Sequence, residues 1–163
     1  MTEEFNPEDP VAFRRVLGHF ASGITVVAAQ AGDRCVGFTC QSFTSVSLDP
    51  PLIAFFVRLE SSAWKLIREA GTFAVSVLSH DQQNIARIFG IPGADKFRDL
   101  AVTTSPNGSP LIDGAIAWLD CDVEQVFSAG DHDGVIGRVT SLAHVNNASP
   151  LLYFRGGYGT FKS

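Results

Sequence analysis

The sequence predicts a mainly β protein with peripheral helices, folded as an antiparallel barrel that is closed or nearly closed. Three observations carry this. Short β-leaning runs bounded by turn residues dominate the chain. Helical patterns are few. Strands and helices do not alternate regularly, which argues against a doubly wound parallel sheet, whereas closure of an antiparallel sheet removes exposed edges. With 163 residues, the chain has the length of a single domain, 1–163, and can bury a core without disulfide or metal staples.

The elements follow in order. Asp9-Pro10 starts a helix, since Asp caps and Pro tolerates the first position. Phe13, Val16, Leu17 and Phe20 recur at helical spacing, with Gly23 after the last turn. Ile24 to Ala29 is a strand, Ala31-Gly32-Asp33 a turn, and Cys35 to Cys40 the returning strand. Leu52 to Val57 is a short apolar strand. Ser61-Ser62 caps a second helix carrying Trp64, Leu66, Ile67 and Ala70, and Gly71 ends it. Phe73 to Leu78 is a strand, and Asp81 caps a third helix bearing Ile85, Ile88 and Phe89. From Ile91 to Pro110 the prolines and glycines predict a long connection with little regular structure. Ala115 to Phe127 alternates, with Ala117, Leu119, Cys121 and Val123 facing inward and Asp120, Asp122 and Glu124 forming an acidic outer face. Ser128 to Gly134 reads as a loop, Val135 to Val145 as a strand, and Leu151 to Phe154 as a last short strand before a glycine-rich turn.

Composition excludes several functions. A net charge of −5 disfavours a phosphate-backbone binder, which needs clustered Lys and Arg. The acidic start MTEEFNPEDP lacks the positive charge and apolar run of a secretory signal. No apolar stretch approaches membrane-spanning length. Three cysteines, Cys35, Cys40 and Cys121, form no disulfide or redox motif, which points to a reducing, cytoplasmic setting. The four histidines make no local metal motif. The phosphate-binding glycine motifs and the nucleophile elbow are absent. An enzyme with this sequence takes its reactive group from an organic cofactor.

One stretch stands out: GFTCQSFTSVSLDPPLIAFFV, Gly37 to Val57. It packs Thr39, Gln41, Ser42, Thr44, Ser45 and Ser47 beside a strand bound for the core. Two readings stand open. Thr and Ser suit a strand with one wet face, or a flat polar ligand lies against them.

That stretch, with FASGITVV, SSAW, GTFAVSVL, AGDHDGVIGRV and PLLYFRGGYGTF in this order, resembles the short-chain flavin reductases of the FMN-binding split-barrel superfamily. The resemblance covers about Phe13 to Phe161. It implies a Greek-key split barrel that binds FMN or FAD and oxidises NADH or NADPH. It places the flavin against Gly37, Phe38, Thr39, Cys40, Gln41 and Ser42, with Phe55, Phe56 and Val57 along the ribityl chain. It assigns Ser61 and Ser62 to the flavin phosphate at a helix start, with Arg87 as a charged clamp and Lys96-Phe97 as a further contact. His132 and the Arg155-Gly156-Gly157-Tyr158 turn are implied for NADH. No arginine cluster for a 2′-phosphate is visible, which favours NADH.

Hydride transfer between two rings is mostly a matter of positioning, so no catalytic nucleophile or base is assigned. The resemblance further implies a homodimer and a separate flavin-dependent monooxygenase that receives the reduced flavin. Two alternatives share the fold: a protein that retains its flavin, and an amine-oxidising barrel whose basic phosphate-binding residues are not evident here. A non-enzymatic binding module is a third.

Overall fold

In the computed structural model, which describes residues 4–93, 95–145 and 147–161, local chemistry sets the helix starts. The first three residues of the acidic N-terminus, part of the signal reading above, lie outside this range. Asp9 caps α1 (Pro10–Leu17), its side chain accepting from Val11 N. The helix stops at Gly18, short of the expected Phe20. His19 N and Phe20 N donate three residues back, to Val16 O and Leu17 O, and the Gly18 carbonyl accepts Arg155 N at 2.8 Å. Ser61 caps α2 (Ser62–Ala70), and Gly71, at φ 75°, ends it in the left-handed conformation that suits glycine. α3 spans Gln83–Gly90. Its cap position is Gln82, not Asp81: the Gln82 carbonyl accepts Ala86 N without a side-chain cap bond, and the Asp81 carboxylate instead accepts the Ser79 hydroxyl.

The strands are β1 (Ser22–Gly23), β2 (Thr25–Ala31), β3 (Arg34–Cys40), β4 (Thr44–Leu48), β5 (Pro51–Arg58), β6 (Thr72–Val77), β7 (Val102–Thr104), β8 (Pro110–Ile112), β9 (Ala117–Ala129), β10 (His132–His144), β11 (Leu151–Phe154) and β12 (Gly157–Thr160). Seven form one antiparallel sheet in the order β3-β2-β6-β9-β10-β5-β4. The sheet has two edges, β3 and β4, so it is a split barrel and not a closed one.

Four expectations change. The polar run after Cys40 contains a strand, β4, which hairpins onto β5 through Asp49-Pro50. The long connection holds the β7–β8 hairpin. The expected loop at Ser128–Gly134 is two paired strands meeting at a turn through Gly130, at φ 66°. The C-terminal glycines pair as β12 with β11 across a turn of Arg155 and Gly156, both at positive φ, the conformation of a two-residue hairpin turn.

Trp64, Phe55, Phe73 and Cys121 anchor the core inside the barrel, with Phe55 meeting Phe73 and Trp64 edge-on at 5.4 and 5.8 Å. A second cluster packs α3 through Ala86 and Phe89 against the other face of β2. The acidic outer face of β9 is only partly as expected. Asp122 and Glu124 are exposed, but Asp120 is 0% exposed. Its Oδ2 accepts Asn107 N at 2.9 Å, and Asn107 in turn reaches Phe73 O and Ser109 N. The carboxylate thus pins the β7–β8 turn onto the barrel. Among the described residues no helix is long and apolar enough to cross a membrane.

Candidate functional site: a cleft on the free edge of a split barrel

An edge strand presents alternate N–H and C=O groups that no neighbouring strand takes. β3 is such an edge, and a cleft of about 660 Å³ runs beside it. Of the flavin candidates, Phe38, Thr39, Cys40, Gln41, Ser42, Phe56, Val57, Ser61 and Ser62 line this cleft, and His132 joins them. The structure therefore brings the polar strand end, the serine pair and the singled-out histidine to one place.

The hydroxyl groups of the polar stretch are mostly committed to the protein. Thr39 Oγ1 donates to Ala86 O at 2.6 Å, tying β3 to α3. Ser42 Oγ accepts Phe56 N at 2.8 Å and donates to Phe56 O at 3.0 Å, joining the end of β3 to β5. With that proton committed, the Cys40 thiol, 3.3 Å from Ser42 Oγ, is the donor of that pair. Burial pushes the Cys40 thiol up, against hydrogen bonding from Ser42, so it stays protonated. These side chains hold the slit open. What the cleft offers a ligand is chiefly main chain, together with the exposed amide of Gln41.

At the α2 end, Ser61 Oγ accepts Trp64 N at 3.2 Å, which satisfies one of the helix's first N–H groups and leaves those of Ser62 and Ala63 without intrahelical partners. Lys96 lies opposite. Its Nζ donates to Gly37 O at 3.1 Å and to Phe89 O at 3.0 Å, and desolvation holds its pKa below the ordinary lysine range. A second cleft, also about 660 Å³, adjoins the first and shares Ser62, Ala63, Gly93 and Lys96 with it; Gly37 and Phe97 line that one.

At the other end His132 faces Arg58 across the β10–β5 ladder. Its Nδ1 is 2.6 Å from Asp131 Oδ1. The hydrogen bond to His132 holds the Asp131 carboxyl below the usual carboxylate range. An ionised carboxylate only accepts, so Nδ1 carries the proton and Nε2 is available to a ligand. The next residue, Asp133, accepts the Trp64 indole N–H at 2.8 Å, which couples His132's strand to α2.

Other candidates lie elsewhere. Phe55 is fully buried in the core and meets the cleft only through its neighbours. Arg87 lies on the exposed side of α3, its guanidinium 5.6 Å from the Tyr158 ring centroid, and Tyr158 stacks edge-on with Tyr153 at 5.2 Å. Arg155, Gly156, Gly157 and Tyr158 line neither cleft. Arg58, Glu60 and the Phe89–Gly93 wall do line the first cleft and were missed. The wall's signal, Gly90, Pro92 and Gly93, marked only a helix end. Among the described residues no cluster of three or more His, Cys, Asp or Glu could hold a metal ion.

A ring system with one apolar and one polar edge fits this cleft. Phe38, Phe56, Val57 and Phe89 supply apolar wall, the β3 edge supplies donors and acceptors, and the seam at Ser62 and Lys96 suits an anion. Relatives agree. A flavin reductase of Pseudomonas putida is 46% identical over 154 residues, covering 94% of this chain and 91% of the relative. The reductase subunit HsaB of a flavin-dependent monooxygenase from Rhodococcus jostii is 43% identical, covering 92% and 77%. Among solved structures, the NADH:FAD oxidoreductase SgcE6 of Streptomyces globisporus, in complex with NAD and FAD fragments, superposes at a TM-score of 0.93 with 35% identity, covering 99% and 98%. A nitrilotriacetate monooxygenase component B homologue from Mycobacterium thermoresistibile superposes at 0.92 with 42% identity, covering 94% and 87%. Residues 17–162 match the model of the flavin reductase like domain, and the chain belongs to that family.

Proposed function

We propose that this chain is an NAD(P)H:flavin oxidoreductase that reduces FMN or FAD by hydride transfer and passes the reduced flavin to a separate monooxygenase. One observation carries the reading: the β3 edge, the α2 start and His132 line a single cleft. A flavin bound in this cleft would supply the redox chemistry, as the hydride acceptor for the nicotinamide. The chain's own groups position it. Main chain from Phe38 to Ser42 faces the polar ring edge, and Ser62 holds the phosphate together with Lys96, which the Gly37 carbonyl steadies. His132, fixed by Asp131, offers Nε2 to the nicotinamide carboxamide. Arg155, Gly156, Gly157 and Tyr158 serve the nicotinamide nucleotide only where a second subunit or a movement of the β11–β12 hairpin brings them to a cleft.

A homodimer is part of the proposal. Within the chain α1 buries only Ala12, while Val11 is 73% and the following Phe20 84% exposed. An apolar face of that kind beside Phe154 is suited to a second copy, and light scattering tests it. Three free thiols and a need for NADH fit a reducing, cytoplasmic setting.

The deciding experiment follows NADH absorbance with FMN, FAD or no added flavin. The reading expects NADH loss that depends on added flavin; a flat trace in all three defeats it. Yellow protein after gel filtration, with slow turnover, marks the flavin-retaining alternative.

A further inference from the structure

The cleft along β3 does not stop at the serine pair. It continues into the second cleft of equal volume, and the two meet at Ser62, Ala63, Gly93 and Lys96. The seam is built for negative charge. The Lys96 ammonium has three protons, of which two go to the Gly37 and Phe89 carbonyls. Among the described residues no acceptor takes the third, which is left for a ligand, as are the first N–H groups of α2. Beyond the seam the lining changes character. Val36, Leu66 and Phe97 give apolar surface, and Arg34 and Arg98 bring positive charge which, with Lys96 at the seam, outweighs the Asp33 and Asp95 carboxylates of the same lining. Arg98 pairs with Asp95 at 3.4 Å, but both side chains are largely exposed, so that pair is weak and yields readily to a phosphate.

A mononucleotide whose ring lies in the first cleft ends at the seam and leaves the second cleft vacant. A dinucleotide runs on into it, with its pyrophosphate at the seam. We propose that the second cleft receives the adenylate half of FAD, and that it makes this chain selective for FAD over FMN, with Arg34 as a specificity-determining residue. The inference rests on the flavin occupying the first cleft. The same adenylate chemistry is present in NADH, so the test must tell the two sources apart.

Isothermal titration calorimetry on the intact protein, with no turnover, reads this directly. FAD is expected to bind about tenfold more tightly than FMN, the size of one good charge contact to phosphate. AMP, the half of FAD that FMN lacks, should compete with FAD and leave FMN binding unchanged. Arg34→Glu, a change at an exposed position, should weaken FAD about tenfold and leave FMN affinity as it was; a thermal melt confirms that the variant folds. Equal affinity for the two flavins overturns the proposal, as does an equal loss of both in Arg34→Glu. So does AMP that displaces NADH but not FAD, which would assign the second cleft to the nicotinamide nucleotide. In those cases flavin binding itself survives. Binding of neither flavin would overturn the flavin reading as well.

Discussion

Replacing Asp133 by alanine should loosen the cleft without touching its lining. Asp133 Oδ2 accepts the Trp64 indole N–H at 2.8 Å. Trp64 is 1% exposed and the Asp133 side chain 13%, so the bond is shielded from water. Arg68 lies 3.7 Å from the same oxygen but is 58% exposed and adds little. Asp133→Ala leaves the indole N–H buried without an acceptor. Hydrogen bonds to charged groups contribute about 1.5–3 kcal/mol, and an orphaned buried donor costs a similar amount, so the expected loss is about 2 kcal/mol. Asp133→Asn keeps an acceptor and should lose about 1 kcal/mol or less. Trp64→Phe removes the donor from the other side and also disturbs the edge-on contact with Phe55, so a double-mutant cycle is needed to isolate the bond. Urea unfolding followed by far-ultraviolet circular dichroism should give a Trp64–Asp133 coupling of about 1.5–3 kcal/mol. The tie joins α2, which begins with the serine pair, to the strand of His132, so flavin affinity should fall together with stability in Asp133→Ala and recover in Asp133→Asn. A coupling below about 0.5 kcal/mol, the size of ordinary additivity error, would refute the reasoning.

Two further outcomes follow from the core. At Gly137 an added Cβ would lie 2.7 Å from Phe73 Cζ, 3.0 Å from Ile53 Cδ1 and 3.3 Å from Cys121 Cβ; Gly137→Ala should therefore cost about 1–3 kcal/mol by overpacking, read as a lower melting temperature. Burial, reinforced by the Asp120 and Asp122 carboxylates, pushes the Cys121 thiol up to about 12. The folded chain thus holds that proton more tightly than the unfolded chain, and the stability it contributes is intact below about pH 8.5 and is lost as the pH rises toward 12. Between about pH 8 and about pH 10 the wild type should lose about 2 kcal/mol more than Cys121→Ala in urea unfolding; equal losses would contradict the assignment.

What could be read from the sequence was what local chemistry decides. Ser61 and Gly71 bracket α2 because a cap and a left-handed glycine act within one turn of the helix. The inward face of β9 through Leu119, Cys121 and Val123 followed from period two. Asp120 broke the pattern because its partner, the Asn107 N–H, arrives from a hairpin that only the folded chain brings near. The strands β4, β7 and β12 escaped notice for a similar reason: hydroxyl, proline and glycine residues make poor strands alone, and pairing with β5, β8 and β11 makes them strands. The cleft itself was half legible. Polar residues flagged the β3 edge, but nothing local to Phe89–Gly93, Arg58 or Glu60 says that they form the opposite wall.

The abundance of hydroxyl side chains at the split has a structural cause that leads to the functional one. A barrel closed by a ladder between its two edge strands, β3 and β4, would consume the edge amides and carbonyls of β3, and a ligand could find none of them. A fully open edge would invite another strand. Here the gap is spanned by side chains: Ser42 reaches Phe56, Thr39 reaches Ala86, and Lys96 reaches Gly37 and Phe89. Each bond fixes the width of the slit at a point and spares the main chain between those points. Short polar side chains are the residues that can do this at the end of a strand whose other face enters the core. The polar composition of the stretch and the accessibility of its backbone therefore have one origin, and the two readings open at the level of sequence are complementary.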